Sequence, residues 1–95
     1  MAVRLLENQT RAIRRLARAH GVARVRLFGS YATRTAKKTS DVDLLVDLQP
    51  RRDLLDLIEF KLDVETLLKC KVDVVTQRAL SPYLRDRVLR QARPL

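Results

Sequence analysis

The chain reads as an α/β protein, a small mixed β-sheet with helices packed on it, in the order helix, strand, short helix, strand, helix, strand, helix. Three observations predict this class. Apolar residues recur at helical spacing before His20, after Asp53 and after Ser81. Between those stretches, Val22–Phe28, Asp41–Leu48 and Val72–Thr76 read as strands, being β-branched, alternating or continuously apolar. Gly21, Gly29-Ser30, Gln49-Pro50 and Ser81-Pro82 punctuate the joins. Ninety-five residues hold one small domain, residues 1–95, without room for a second core.

The first helix is expected from about Val3 to His20, with Leu6, Ile13, Leu16 and Ala17 on its apolar side and Arg11, Arg14, Arg15 and Arg18 elsewhere. Gly21 suits the left-handed residue that ends it. His20, beside the helix end, is a dipole partner and not a candidate for chemistry. In the first strand Ala23, Val25 and Leu27 share one face and Arg24 and Arg26 the other, and the strand delivers Gly29 and Ser30 at its end. Glycine there allows close backbone approach, and Ser30 can offer a hydroxyl and an amide to a phosphate. Residues 30–36 are expected as a short helix, followed by a loop through Lys37 to Ser40.

The second strand carries the most informative pattern. Strand side chains alternate, so Asp41 and Asp43 project to one side while Val42, Leu44, Val46 and Leu48 project to the other and can be buried. Two residues along a strand place their α-carbons roughly 6.6 Å apart, close enough for both carboxylates to serve one hard cation. The pair suits a metal-bound triphosphate. Asp53 then caps a helix to about Leu68 with a buried stripe of Leu54, Leu57, Ile58, Leu62 and Leu68, leaving Asp56, Glu59, Asp63 and Glu65 to solvent. In the third strand Asp73 faces away from Val72 and Val74, and an aspartate among valines calls for a charged partner such as a metal ion. Ser81 and Pro82 open the last helix, with Tyr83, Leu84, Val88 and Leu89 as its apolar contacts and Pro94 after its end.

Composition narrows the function. Twenty Lys and Arg against 11 Asp and Glu give a net charge of +9, which suits a polyanion, although solvated helix faces account for most of the arginines. Aromatic residues make up 4% of the chain, so no stacking platform for single-stranded nucleic acid is visible, and direct nucleic-acid binding is not expected. Cys70 is the single cysteine, which rules out an intramolecular disulfide and a Cys-rich zinc site. No apolar run has the length of a signal core or membrane span, so a cytoplasmic location without membrane association is expected. The Gly-Ser turn is not a Walker loop, because no Gly-x-x-x-x-Gly-Lys-Ser/Thr pattern occurs.

Gly29-Ser30, ten intervening residues, Asp41-Val42-Asp43 opening an apolar strand, and a later strand bearing Asp73 resemble the nucleotidyltransferase superfamily that includes DNA polymerase beta. The small size, Lys-Val-Asp-Val-Val-Thr and Leu-Ser-Pro-Tyr-Leu-Arg-Asp-Arg-Val-Leu resemble its minimal nucleotidyltransferase branch over nearly the whole chain. The resemblance implies that Gly29 and Ser30 contact a triphosphate and that Asp41, Asp43 and Asp73 hold magnesium. The chain departs from the family's Gly-Ser-x-Ala-Arg/Lys-Gly at Thr33 and Arg34, and Arg34 can be read either as a phosphate contact or as a surface residue. By the same resemblance the substrate is ATP and the partner is a HEPN-type ribonuclease toxin in a hetero-oligomer, silenced by transfer of AMP to a tyrosine hydroxyl. The alternatives are an antitoxin that neutralises by binding alone, transfer to a small molecule, and, last, a basic module acting on RNA.

Overall fold

The computed structural model describes residues 4–95, so Val3, where the first helix was expected to begin, lies outside the described residues. Among the described residues that helix, α1, runs Glu7–Ala19. Leu6 is its extended N-cap, its amide donating to the Gln9 side chain at 2.8 Å, and it stands 61% exposed where an apolar contact was expected. Strand β1 spans Val22–Phe28, the short helix α2 Gly29–Ala32, β2 Val42–Leu48, α3 Leu54–Leu68, β3 Val72–Val75 and α4 Pro82–Gln91. A 3₁₀ turn at Gln77–Ala79 and a two-residue strand, β4 (Arg93–Pro94), complete the chain. None of its helices is long and apolar enough to cross a membrane among the described residues.

The sheet order is β3-β2-β1-β4, with β1 antiparallel to β2 and β4 and β2 parallel to β3, a mixed sheet as expected. The period-two pattern of β2 sets its two faces. Val42, Leu44 and Val46 are fully buried and join Ile13, Phe60, Val64 and Val72 in one core beneath α1 and α3. Ser81 and Asp53 cap their helices as expected: Ser81 Oγ accepts from Leu84 N at 3.3 Å, and Asp53 Oδ1 accepts from Leu55 N at 3.0 Å.

Several expectations are corrected. In β1 the pairing register slips between Val22 and Arg24, so Ala23 is the extra residue of a bulge and is exposed, while Val22 takes its place in the core. Alternation alone could not place that bulge. Arg26, on the face opposite Val25 as expected, is nevertheless only 8% exposed, its Nη2 4.0 Å from Asp47 Oδ2 and its Nε and Nη2 without hydrogen-bond partners among the described residues. The short helix stops at Ala32 instead of reaching residue 36, because Arg34 adopts a left-handed φ of 61°. Asp41 precedes β2 instead of opening it, and β3 ends at Val75, one residue short of Thr76.

The largest correction concerns α3. Its core-facing residues are Phe60 and Val64 with Leu57, Leu67 and Leu68, whereas Leu54, Ile58 and Leu62 of the expected stripe are 67%, 44% and 55% exposed. This helix has two apolar sides, Leu57, Phe60 and Val64 on one and Leu55, Ile58 and Leu62 on the other, so periodicity does not single out the one that meets the core. Two of its acidic residues bond across the fold instead of facing only solvent. Asp63 Oδ2 lies 2.6 Å from His20 Nε2, and Glu65 Oε2 accepts from Val72 N at 3.1 Å. Likewise, Tyr83 and Leu84 on α4 are 91% and 47% exposed, and Val88 is the residue that the helix buries. Pro94 belongs to β4, which closes the sheet edge beside β1.

Candidate functional site

Sheet register brings the predicted acidic residues together. Asp43 pairs with Phe28 on one side and with Asp73 on the other, so the two aspartates stand side by side on adjacent parallel strands. The ladder is anchored at its mouth, where Val42 N donates to Lys71 O at 3.0 Å. Glu65, reaching from α3 to the first amide of β3, ties the strand bearing Asp73 to the helical layer. It is a positioning residue that the sequence does not advertise, because a glutamate on a charged helix has no pattern distinguishing it. Asp41 stands one residue ahead of β2, exposed beside the pair.

The electrostatics follow from this crowding. Asp43 is half-buried, and its carboxyl is pushed up to about 6, first by burial, then by the charges of Asp73 and Asp41, and by a hydrogen bond with Asp73. Three acidic groups converging without a cation repel one another, and a bound cation relieves that repulsion. Nearby, burial pushes the Cys70 thiol up, with the charges of Asp41 and Glu65 adding to it. Both effects disfavour its thiolate.

Gly29 closes the other wall. Its φ is +71°, and a Cβ there would overlap the Asp43 carboxylate, so a larger residue would be strained and would have to push that side chain aside. Ser30 follows in the first turn of α2, where backbone amides have no acceptor within the helix. Thr33, at the first departure from the family pattern, uses its hydroxyl locally, with Gly29 O at 3.2 Å and Thr35 Oγ1 at 2.9 Å. Arg34 keeps the left-handed backbone that a glycine would take and is exposed. It borders a cavity of about 200 Å³ beside α2 whose other basic walls are Arg4 and Arg93.

The donor set consists of hard carboxylate oxygens, which fit magnesium. Among the described residues, no three acidic, histidine or cysteine side chains close into a metal cage. Magnesium does not require one: it commonly takes one or two carboxylates and completes its octahedron with substrate phosphates and water. Asp43 and Asp73 supply such a pair, with Asp41 at its edge.

Comparison with known proteins identifies the family. The nucleotidyltransferase domain model matches residues 9–95. A Methanocaldococcus jannaschii protein named as a candidate protein adenylyltransferase is 45% identical over 73 residues, covering 77% of this chain and 78% of that protein. The protein adenylyltransferase MntA of Thermococcus cleftensis is 41% identical over 71 residues, covering 75% and 72%. The solved structure of a candidate minimal nucleotidyltransferase superposes with a TM-score of 0.84 at 46% identity, over 93% of this chain and 90% of that one. A toxin–antitoxin crystal structure with AMP-PNP gives 0.76 at 29% identity, over 95% and 72%. The chain therefore belongs to the nucleotidyltransferase domain family, in its minimal nucleotidyltransferase branch, and is a nucleotidyltransferase.

Proposed function

We propose that this chain transfers AMP from ATP to a tyrosine hydroxyl of a partner HEPN-type toxin and so silences it. The carrying observation is the Asp43–Asp73 pair, crowded enough to hold Asp43 protonated to about pH 6 and roofed by Gly29, where a side chain would displace the Asp43 carboxylate. The AMP-PNP bound in a related toxin–antitoxin complex and the adenylyltransferase names of the relatives support the nucleotide and the class of acceptor.

In this reading Gly29 and Ser30 hold the triphosphate, with Arg34 contributing positive charge from beside α2. Asp41, Asp43 and Asp73 hold the magnesium. When bound, magnesium neutralises charge on the phosphates and stabilises the entering and leaving oxygens. The acceptor oxygen attacks the α-phosphorus in line, the bond from that phosphorus to the β-bridging oxygen breaks, and pyrophosphate leaves. Asp73, exposed at the rim next to Asp43, accepts the hydroxyl proton.

Intact-mass spectrometry of the partner toxin after incubation with this protein, ATP and magnesium tests the proposal. One or more added AMP groups are expected, and Asp43→Asn should slow their appearance about a thousandfold, the loss of several kcal/mol of charge stabilisation. An unmodified toxin with the wild-type protein overturns it.

The departure at Thr33 and Arg34 favours a second reading, an antitoxin that acts by contact alone. Its signature is growth rescue by Asp43→Asn equal to that by the wild type.

A further inference from the structure

Asp73 rides on the shortest strand of the acidic site. Strand β3 has four residues and lies at the edge of the sheet, with β2 as its one sheet neighbour, so the Asp43–Asp73 pair is only as rigid as the hold on β3. Glu65 supplies that hold. Its Oε2 accepts from Val72 N at 3.1 Å, and its carbonyl oxygen accepts from Lys69 N at 2.8 Å, where the chain leaves α3 with a left-handed φ of 56°. One residue of α3 thus grips the turn 69–71 at both ends. Within that turn Lys71 O accepts from Val42 N at 3.0 Å. Both anchored amides sit one residue ahead of the acidic pair, since Val42 precedes Asp43 and Val72 precedes Asp73. Val72 is 1% exposed, so an amide released from Glu65 has little water to turn to, and the strand shifts to satisfy it.

We propose that Glu65, acting through the Val72 amide, makes the Asp43–Asp73 pair selective for magnesium over calcium. This rests on the reading of that pair as the magnesium site. Magnesium demands near-ideal octahedral geometry with oxygens at about 2.0–2.1 Å, whereas calcium accepts more oxygens at about 2.3–2.6 Å in adaptable arrangements. Two carboxylates held at one separation suit the first ion, and two that can move apart suit the second. The register of β2 and β3 sets the carboxylates side by side, and Glu65 keeps the edge strand from giving way. Its bond is to the backbone beside Asp73, so it is a positioning residue and not a ligand. Residues that orient metal ligands in this indirect way typically contribute about 10–100-fold in affinity.

Melting curves of the full chain titrated with magnesium alone or calcium alone, without nucleotide or toxin, test the proposal. Magnesium should stabilise the wild type at lower concentration than calcium does. Glu65→Ala should raise the magnesium half-saturation about tenfold and leave that of calcium nearly unchanged. Glu65→Gln, whose amide oxygen still accepts from Val72 N, should keep the wild-type preference. Glu65→Asp, which keeps the charge and loses reach, should shift the preference in the same direction as Glu65→Ala by a smaller factor, and it decides the matter if the alanine variant does not fold. Equal weakening of both ions overturns the proposal, because a merely structural role acts on both alike. A wild type that magnesium does not stabilise, or that prefers calcium, overturns it too, as does a Glu65→Gln variant that behaves like Glu65→Ala. Toxin modification is measured separately: an unmodified toxin beside an intact magnesium preference sinks AMP transfer alone, and a modified toxin beside an unchanged preference in Glu65→Ala sinks the role of Glu65 alone.

Discussion

The two faces of the central sheet obey different rules although they share the same strands. Beneath α1 and α3, Val42, Leu44, Val46, Phe60 and Val64 are fully buried. On the opposite face, Asp43, Leu45 and Asp47 alternate with Val42, Leu44 and Val46, and Leu45 too is fully buried, beside the buried Arg26. The first face gains stability from dispersion and the removal of apolar surface from water. The second gives some of that up, holding an acidic pair that repels itself and a buried guanidinium with two nitrogens that make no hydrogen bond among the described residues. The local cost sits on the face that carries the candidate site, and the dry face is what allows the fold to bear it.

That contrast can be broken most severely from the dry side. Phe60→Ala removes the largest fully buried side chain and should cost about 3–5 kcal/mol, measured by denaturant unfolding. A loss below 1 kcal/mol would mean that α3 is held chiefly by its other contacts.

On the chemical face the sign reverses. The folded chain keeps the Asp43 proton to about pH 6, whereas an unfolded aspartate releases it near 4. The stability which that proton lends is therefore complete below about pH 4 and is lost as the pH rises through about 6. In magnesium-free buffer Asp43→Asn should be more stable than the wild type at pH 7.5, by about 1 kcal/mol after allowing for solvent screening, with the advantage shrinking towards pH 4. Added magnesium should stabilise the wild type and close that gap. Melting curves of both proteins across this range check the sign, and an Asp43→Asn variant less stable at every pH would show that Asp43 makes a structural bond the fold needs.

The smallest effect is expected at Arg34, next to the site but on its covalent frame. A non-glycine residue in the left-handed region costs roughly 1–2 kcal/mol, offset in part by the greater unfolded-state entropy of glycine. Arg34→Gly should therefore change stability by less than about 1 kcal/mol while removing one positive charge beside α2. If the arginine serves the triphosphate, the KM for ATP rises; an unchanged KM assigns it to the surface.

Much of the site was legible from residue order because strand alternation is local. Asp43 had to face away from Val42 and Leu44 wherever the strand was placed, and Gly29 was marked by its position after an apolar strand. The element order was legible for the same reason, since caps such as Asp53 and Ser81 act within a few residues. What escaped were features set by contacts distant in sequence: the bulge at Ala23, Glu65 holding the first amide of β3, β4 pairing with β1, and the burial of Arg26.

The sequence by itself determined which residues could do chemistry and which side of β2 they occupy. Tertiary structure alone decided that Asp73 stands beside Asp43, through the parallel register of β2 and β3, and which side of α3 meets the core. A helix with two apolar sides carries no local signal of which one meets the core, and a pairing register between strands 30 residues apart is set by the packing of everything between them.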